Sequence, residues 1–228
     1  MSLKFSLMGV FKAYPSVILL TVLCCVMSAN SQKAFTPGVV SPVENRWELT
    51  DDEDGIKFYV RWVPLNSLTE VRERKVEILA HTSLDKALGM VADIDKASLW
   101  MSGIKRASLL QRDNSNQWYS HVLYGLPWPF NDREMITLCR MKKVAASSKI
   151  TITMESVEHS YPKAKGVERL TNYKASWEIV EINHNLVKMT FIALSGDPPA
   201  FPRVIQDPVI KRVFMGNMRC LKELLEKG

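Results

Sequence analysis

The residues best placed for chemistry lie in one segment, 119–134, with the sequence Tyr-Ser-His-Val-Leu-Tyr-Gly-Leu-Pro-Trp-Pro-Phe-Asn-Asp-Arg-Glu. Its charged corner, Asp132-Arg133-Glu134, could hold the anionic head group of a ligand, because the arginine fork matches the geometry of carboxylates and phosphates. In the simpler interpretation, the two acids only hold Arg133 at the start of a strand. His121 with either acid would supply the titratable pair that an acid–base enzyme needs.

Signatures of other chemistry are missing from the sequence. There is no Gly-x-Ser-x-Gly elbow, His-Glu-x-x-His helix or phosphate-binding loop, and the four histidines have no metal-ligand spacing. We therefore expect no metal and no cofactor, although a catalytic triad could still assemble across the fold. Outside the N-terminal segment the only cysteines are Cys139 and Cys220, which we expect to be small buried residues, with a single disulfide as the alternative.

The composition is that of an ordinary globular protein, with 228 residues, of which 46% are hydrophobic and 24% charged. A chain of this size favours a single domain whose core needs no disulfides. The formal net charge of +6 would favour contact with anionic membrane surfaces without requiring it. No nucleic-acid-binding motif accompanies the charge, so nucleic acid is not expected as a partner.

Residues 1–31 have the character of a targeting segment. Two lysines precede an apolar run of eleven residues, 17–27, which is followed by small and polar residues. A basic region, a short apolar region and a small-residue site describe a secretory signal peptide, whereas a membrane span needs about twenty apolar residues. We favour cleavage after Ala29 or Ser31 and a secreted or periplasmic protein, with a retained membrane anchor as the alternative.

A linker with two prolines and a glycine, residues 32–43, leads into the folded domain, residues 44–228. A short helix and turn are expected between Glu44 and Asp54. Further along, period-two alternation of apolar and polar residues predicts half-buried strands. The expected strands are 56–63, 71–80, 104–111, 117–124, 134–141, 149–157, 173–179 and 187–195, with short helices at 84–91 and 93–100 and a hairpin turn at 183–185.

The last element is a long amphipathic helix. Asp207 is expected to cap it and Pro208 to occupy its first turn. Its apolar side forms two neighbouring stripes, Val209, Val213, Gly216 and Cys220 on one and Ile210, Phe214, Asn217, Leu221 and Leu224 on the other. This order of elements predicts an α+β fold, a curved antiparallel sheet with the long helix across its concave side and room for a ligand between them.

Several landmarks along the domain resemble the START family, the StAR-related lipid transfer domains, of the bacterial secreted kind. They are Trp47-Glu48-Leu49, the segment Asp54–Arg61, Asp93 followed by Trp100, Pro127-Trp128-Pro129 with Asp132-Arg133-Glu134, Trp177, and the turn Gly196–Pro202. The resemblance covers residues 44–226 and implies a helix-grip fold whose internal apolar tunnel holds one lipid or sterol. One departure is Asp197-Pro198-Pro199, where many members have Asp-Pro-Gly-Gly, which puts the usual gating of the tunnel in doubt.

The resemblance implies a non-catalytic, monomeric protein that binds a lipid or sterol-like ligand and contacts membranes transiently. The residues predicted to contact the ligand are Trp100, Tyr119, His121, Trp128, Arg133, Trp177, Met189, Phe191, Val213 and Asn217. His121 is alternatively a structural histidine, and Trp128 lies either at the tunnel rim or in the core.

Two other functions remain open at this point. An enzyme of the helix-grip superfamily, a cyclase or hydrolase acting on an apolar small molecule, would need His121 and Asp132 or Glu134 to converge on the cavity. A partner-binding module would instead have a filled core and no cavity.

Overall fold

The computed structural model describes residues 46–125, 131–144, 148–197 and 202–227. Within these ranges ten strands form one sheet, followed by a long C-terminal helix. The strands are β1 (Glu48–Glu53), β2 (Ile56–Pro64), β3 (Glu70–Ala80), β4 (Ile104–Asn114), β5 (Gln117–Tyr124), β6 (Arg133–Val144), β7 (Lys149–Ser156), β8 (Glu168–Arg169), β9 (Tyr173–Asn183) and β10 (Leu186–Ser195). The helices are α1 (Leu84–Val91), a single 3-10 turn (Ile94–Lys96), α2 (Ala97–Trp100) and α3 (Arg203–Glu226).

Nine of the strands lie side by side and antiparallel in the order β1-β2-β3-β10-β9-β7-β6-β5-β4. The pairing of β3 with β10 makes the first three strands continuous with the last two. β8 pairs in parallel with the start of β6, at Arg133 and Glu134, beyond the point where β7 ends. The expectation of a curved antiparallel sheet with a long C-terminal helix is confirmed.

A two-residue hairpin joins β1 to β2 and corrects the expectation of a helix in this region. Asp54 and Gly55 both have positive φ, 54° and 74°, between two directly paired residues. Positive φ at both central positions is the mark of a type I′ turn, for which Asp-Gly is a preferred pair. Residues 48–53 therefore form a strand rather than a helix.

Alternation along the strands directs one face of the sheet, here called the inner face, toward α3. The register aligns Ile56, Ile78, Met189, Ile179 and Ile150 across five neighbouring strands, and all five are buried. They belong to one core cluster with the buried side chains of α3. Because each such side chain contributes about 1.5–3 kcal/mol on burial, this row fixes which face of the sheet the helix covers.

The helix α3 begins earlier than the sequence indicated. Its first residue is Arg203, and Pro202 stands at the N-cap position without a side-chain hydrogen bond to the first turn. Asp207 therefore lies inside the helix, as does Pro208. The expectation that Asp207 caps the helix is wrong, because its carboxylate is bound by arginines of the sheet.

The short helix α1 begins as expected. Its N-cap is Ser83, whose Oγ atom accepts a hydrogen bond from the backbone N–H of Lys86 at 3.2 Å. In the part of the chain that the structure describes, no helix combines the length and the apolarity that a membrane span requires.

The two edges of the sheet are irregular and charged. At one edge, β1 has a register shift between Leu49 and Asp51. At the other edge, β4 has three such shifts along its pairing with β5. Both strands are rich in charged residues, and bulges and charges are common features of free sheet edges in natural proteins.

The β1–β2 turn gives a first prediction. Replacing Gly55 by alanine should lower the free energy of unfolding by about 1–2 kcal/mol, because an L-residue is strained at positive φ. The added Cβ would meet only Lys222 Nζ at 3.5 Å, an ordinary contact, so strain alone is tested. Gly216→Ala is the matched control, because its Cβ would meet open space within α3 and should add about 0.5–1 kcal/mol. Urea unfolding measures the free energy of unfolding of both variants. Changes of the same sign would contradict the assignment of a positive-φ turn at Gly55.

Candidate functional site

The two halves of α3 are attached to the sheet in different ways. All of its buried residues lie in the carboxy-terminal half, residues 215–226: Met215, Asn217, Met218, Leu221 and Leu225. In the amino-terminal half, residues 203–214, every side chain is partly or fully exposed. Fully buried side chains therefore anchor only the second half of the helix, although Phe214, at the end of the first half, packs against the core while partly exposed.

The amino-terminal half is held by ion pairs. On β3, Arg74 Nη2 donates to Asp207 Oδ1 at 2.8 Å, and Arg72 Nη1 donates to Asp207 Oδ2 at 2.5 Å. Arg74 is only 9% exposed, and this burial lowers the pKa of its guanidinium, an effect that the hydrogen bond to Asp207 opposes. Arginine nevertheless stays protonated in proteins, so a positive charge lies buried between the sheet and α3.

Two cavities lie beneath this half of the helix, one on each side of the ion pairs. The first, which we call the arginine cavity, has a volume of about 200 Å³. The second, the β2 cavity, has a volume of about 220 Å³ and is lined by residues of β2 together with Pro208 and Lys211. Arg72 and Arg74 line both cavities and therefore form the partition between them, whereas Asp207, which both arginines bind, lines the β2 cavity.

A continuous row of aromatic rings runs from the cavities into the core. Phe58 packs edge-on against Phe214 at 5.9 Å between ring centroids, and Phe214 lies 5.8 Å from Phe191. Phe191 is 4.7 Å from Trp177, which lies 6.0 Å from Trp100. Phe191 and Phe214 are only partly buried, so they present an apolar wall to the space under α3.

Two tyrosines face the same end of the inner face. Tyr173 lines the arginine cavity, and Tyr124 lies on β5 opposite Arg133 of β6. Burial raises the pKa of both phenols. They therefore stay protonated at neutral pH and can act as hydrogen-bond donors.

A small polar cluster lies deeper on the inner face. The Ser120 and Thr137 hydroxyls are 2.9 Å apart, and both lie near the Cys139 sulfur. Burial raises the pKa of the Cys139 thiol, although its two hydroxyl neighbours act in the opposite direction. Cys139 and Cys220 are both free thiols, so the alternative of a disulfide between them is not realised.

Of the predicted contact residues, Arg133, Trp177, Met189 and Phe191 lie on the inner face. Arg133 lines the arginine cavity, and Phe191 lies in the aromatic wall. Trp177 and Met189 are fully enclosed in the core cluster beneath that wall. Residue 128, the predicted rim tryptophan, lies outside the described residues.

Trp100, Val213 and Asn217 come together elsewhere, at an open groove of about 450 Å³ between α2 and α3. Asn217 Oδ1 accepts hydrogen bonds from both the backbone N–H and the hydroxyl of Ser102, each at 2.9 Å. Asn217 thus ties α3 to the turn after α2. A further hollow of about 520 Å³, lined by Asn131 and residues 163–168, is a shallow surface feature without converging side chains.

Tyr119 and His121 lie on the opposite, outer face of the sheet. Their neighbours on β5, Trp118 and Ser120, point to the inner face, whereas the ring of Tyr119 contacts His159 and that of His121 contacts Tyr161. The structure therefore does not bring Tyr119 or His121 to the space under α3.

The charged corner at residues 132–134 is divided between the two faces by strand alternation. Asp132 binds Lys105 Nζ at 2.7 Å, and Arg133 reaches the inner face. Glu134, only 1% exposed, lies on the outer face and accepts hydrogen bonds from His121 Nε2 at 3.0 Å and Arg169 Nε at 2.9 Å. The titratable pair His121–Glu134 exists, but it is away from the cavities.

Several residues of the site were missed from the sequence. Arg72 and Arg74 occupy the same alternating positions of β3 as Val76 and Ile78, and so an arginine at an apolar position was the available signal. Asp207 likewise precedes Ile210 and Phe214 at helical spacing, in the same stripe of α3. Among the described residues, no cluster of histidine, cysteine and acidic side chains could hold a metal ion.

Glu134 gives a second prediction. Burial alone would raise its pKa, but the hydrogen bonds from His121 and Arg169 outweigh burial and lower it below 4.5. A carboxyl whose pKa is lowered by folding stabilises the protein above its usual pKa, and that stability is lost as the pH falls through the folded value. Glu134→Gln should therefore lower the free energy of unfolding near neutral pH by about 2 kcal/mol. As the pH falls, the free energy of unfolding of the variant should decrease less steeply than that of the wild type.

The measurement is urea unfolding at a series of pH values from 7 to 3. Glu155→Gln is the control, because the Glu155 side chain is half exposed and pairs with exposed Lys174, so little change is expected. Parallel pH profiles for the wild type and Glu134→Gln would contradict the prediction.

Comparisons with known proteins place this geometry in context. No protein-family model matches the chain. An uncharacterized protein of Pseudomonas aeruginosa is 21% identical over 183 residues, which cover 79% of this chain and 87% of that protein.

Solved structures are similar over most of the domain. A STAR-related lipid transfer protein fragment from Xanthomonas axonopodis has a TM-score of 0.68 at 24% identity and covers 78% of this chain and 98% of its own. Human STARD10 has a TM-score of 0.66 at 18% identity, covering 78% and 71%. Human StAR-related lipid transfer protein 5 has a TM-score of 0.69 at 13% identity, covering 78% and 86%. At these identities the likeness establishes the architecture and confirms the resemblance drawn from the sequence: this chain has the fold of the StAR-related lipid transfer domains.

Proposed function

We propose that this protein binds a lipid-like amphiphile between the inner face of the sheet and the amino-terminal half of α3. The observation that carries the proposal is the contrast between the two halves of the helix. The carboxy-terminal half is packed into the core, whereas the amino-terminal half spans two cavities bordered by an aromatic wall. The solved structures described as lipid transfer proteins support the same ligand class.

The cavities have the size and surface that such a ligand needs. Together their volumes reach the lower part of the roughly 300–1,000 Å³ that ligand pockets span. Phe58, Phe191 and Phe214 would contact an acyl chain or sterol ring system. At roughly 25 cal/mol per Å², burial of about 300 Å² of chain would contribute about 7 kcal/mol before the entropic costs of association.

Binding of a long chain would require the two cavities to join. Their partition consists of Arg72 and Arg74, which are joined to Asp207 of the helix by ion pairs and not by apolar packing. Moving residues 203–214 away from the sheet would break those pairs without exposing a fully buried apolar side chain of the helix. We propose that this half of α3 opens to admit and release the ligand, which is the step that transfer between membranes would need.

The enzyme alternative has no supporting observation at the cavities. It required His121 and a neighbouring acid to converge on the ligand space. His121 and Glu134 do pair, but on the outer face beneath Tyr161. A filled core, which a pure partner-binding module would have, is also not what the inner face shows.

The first test is direct. Protein purified from cells should release a lipid on organic extraction, detected by mass spectrometry, or should bind a fluorescent fatty-acyl probe saturably after delipidation. If neither bound lipid nor saturable probe binding is found, the proposed function is wrong.

A variant that fills the arginine cavity gives the third prediction. Ala193 is buried and lines that cavity, so Ala193→Leu should reduce the affinity for the acyl probe about tenfold or more by occupying ligand space. Ser176→Leu is the control, because this substitution adds a similar volume on the outer face, on the strand β9 that neighbours the strand of Ala193. Circular dichroism verifies folding, and equal affinity of the two variants would contradict the placement of the ligand.

A further inference from the structure

We infer that the ligand carries an anionic head group, a carboxylate or a phosphate, and that the arginine cavity holds it. This inference rests on the proposed function and adds the chemistry of the head group and its location. Four guanidinium groups line this small cavity, those of Arg72, Arg74, Arg133 and Arg203, against one carboxylate, that of Asp197. When the adjacent Asp207, which binds Arg72 and Arg74, is counted as well, the net charge at the cavity is still +2.

The positive charge at this site is incompletely neutralised. Asp207 is shared by two arginines, Arg72 and Arg74. Arg133 binds Glu168 through Nη2 at 3.2 Å, but its Nε atom is buried with no hydrogen-bond partner among the described residues, and the same holds for Arg72 Nε. A buried guanidinium N–H without an acceptor is costly, and an incoming anion would supply one.

Arg203 adds a charge that no described carboxylate approaches within ion-pair distance. Its guanidinium lies over the Trp62 ring, 4.8 Å from the centroid, which keeps it beside the cavity without neutralising it. It is also the first residue of α3, whose first turn contains no acidic residue. The positive end of the helix dipole and the Arg203 side chain therefore act on the same space.

Among the lining residues only Asp197 carries a negative charge, and four guanidinium groups outnumber it. Asp197 is engaged by hydroxyl and amide donors, at 3.2 Å from both Ser195 Oγ and Asn172 Nδ2. Tyr173 stays protonated because burial raises its pKa, so it offers an O–H donor at the cavity wall. The cavity thus offers donors and positive charge to a ligand.

The position of the cavity fits an amphiphile. Phe214 belongs both to the arginine cavity and to the aromatic wall that leads inward through Phe191 to Trp177. A head group bound by Arg133 and Arg203 would place the start of its chain against Phe214. Fatty acids and acidic phospholipids share this chemistry, and they differ in whether a carboxylate or a phosphate meets the arginines.

The experiment measures affinity for charged and neutral ligands with the same chain. Oleate and oleyl alcohol are compared by displacement of the acyl probe at pH 8, and dioleoyl phosphatidic acid is compared with dioleoylglycerol in parallel. We expect the anionic member of at least one pair to bind ten times more tightly or better. A preference only in the first pair identifies a carboxylate, and one only in the second identifies a phosphate.

Variants then assign the preference to the cavity. Arg203→Gln and Arg133→Gln should each weaken the anionic ligand about tenfold and the neutral ligand less than about twofold, and Arg203→Lys should recover part of the loss by restoring the charge. Arg140→Gln is the control, because Arg140 lies on β6 with Arg133 but is exposed on the outer face. Arg203 pairs with no carboxylate of the described residues, so its variant tests binding even if Arg133→Gln folds poorly.

The outcomes separate this inference from the proposed function. If neutral ligands bind as tightly as anionic ones, or if the arginine variants weaken both equally, the inference is wrong while lipid binding stands. If no ligand of either charge binds, the proposed function fails and the inference fails with it.

Discussion

The ion pairs that join Arg72 and Arg74 of the sheet to Asp207 of the helix determine how the rest of the domain is arranged. Moving three charges out of water carries a desolvation cost that their mutual attraction only partly offsets, and well-packed apolar side chains at the same positions would often be as stable or more so. Such packing would, however, fill the space beneath the helix. The ionic attachment therefore leaves one half of α3 separable from the core, and the apolar attachment of the other half keeps the domain folded.

This division gives the helix a gradient of local stability. Segments with few buried apolar contacts open at lower free energy than the core to which they are attached. Residues 215–226 share the core with the aligned row from Ile56 to Ile150, so they separate only with global unfolding. Apart from Phe214, which packs against Phe58 and Phe191, the attachment of residues 203–214 depends on charges that salt and solvent can replace. A binding protein that must release its ligand needs this combination of a fixed and a releasable part in one element.

The fold was predictable wherever one face of a strand is buried and the other is not. In β9 and β10 the inward row is mostly apolar, and polar residues alternate with it over much of each strand, so period-two alternation identified both strands. The turn between them was identified by its asparagines, Asn183 and Asn185. The prediction for β1 failed because this edge strand is exposed on both faces, so the sequence Glu48–Glu53 shows no alternation of apolar and polar residues. The local signal there was the Asp54-Gly55 pair, whose preference for positive φ marks a hairpin independently of burial.

The site was less predictable, for a related reason. β5 is buried on both faces, since Tyr161 and His159 cover the outer side, and alternation cannot then tell which of Ser120 and His121 faces the helix. Arg133 was identified because its chemistry stood out at a strand start. Arg74 was not identified, because a single charged residue next to an apolar row is ordinarily read as the end of the buried part of the strand. Its role becomes visible only when the structure brings Asp207 of the helix to it.

The irregular edges of the sheet have a consequence for how two molecules can meet. An open sheet exposes unpaired N–H and C=O groups along its first and last strands, and a second copy could in principle continue it. Here the acids at Asp51 and Asp52 on β1 would face like charges across such a junction, and the register shifts along β4 would interrupt any regular ladder. Strand addition is therefore disfavoured at both ends, so the domain avoids polymerising through its own backbone.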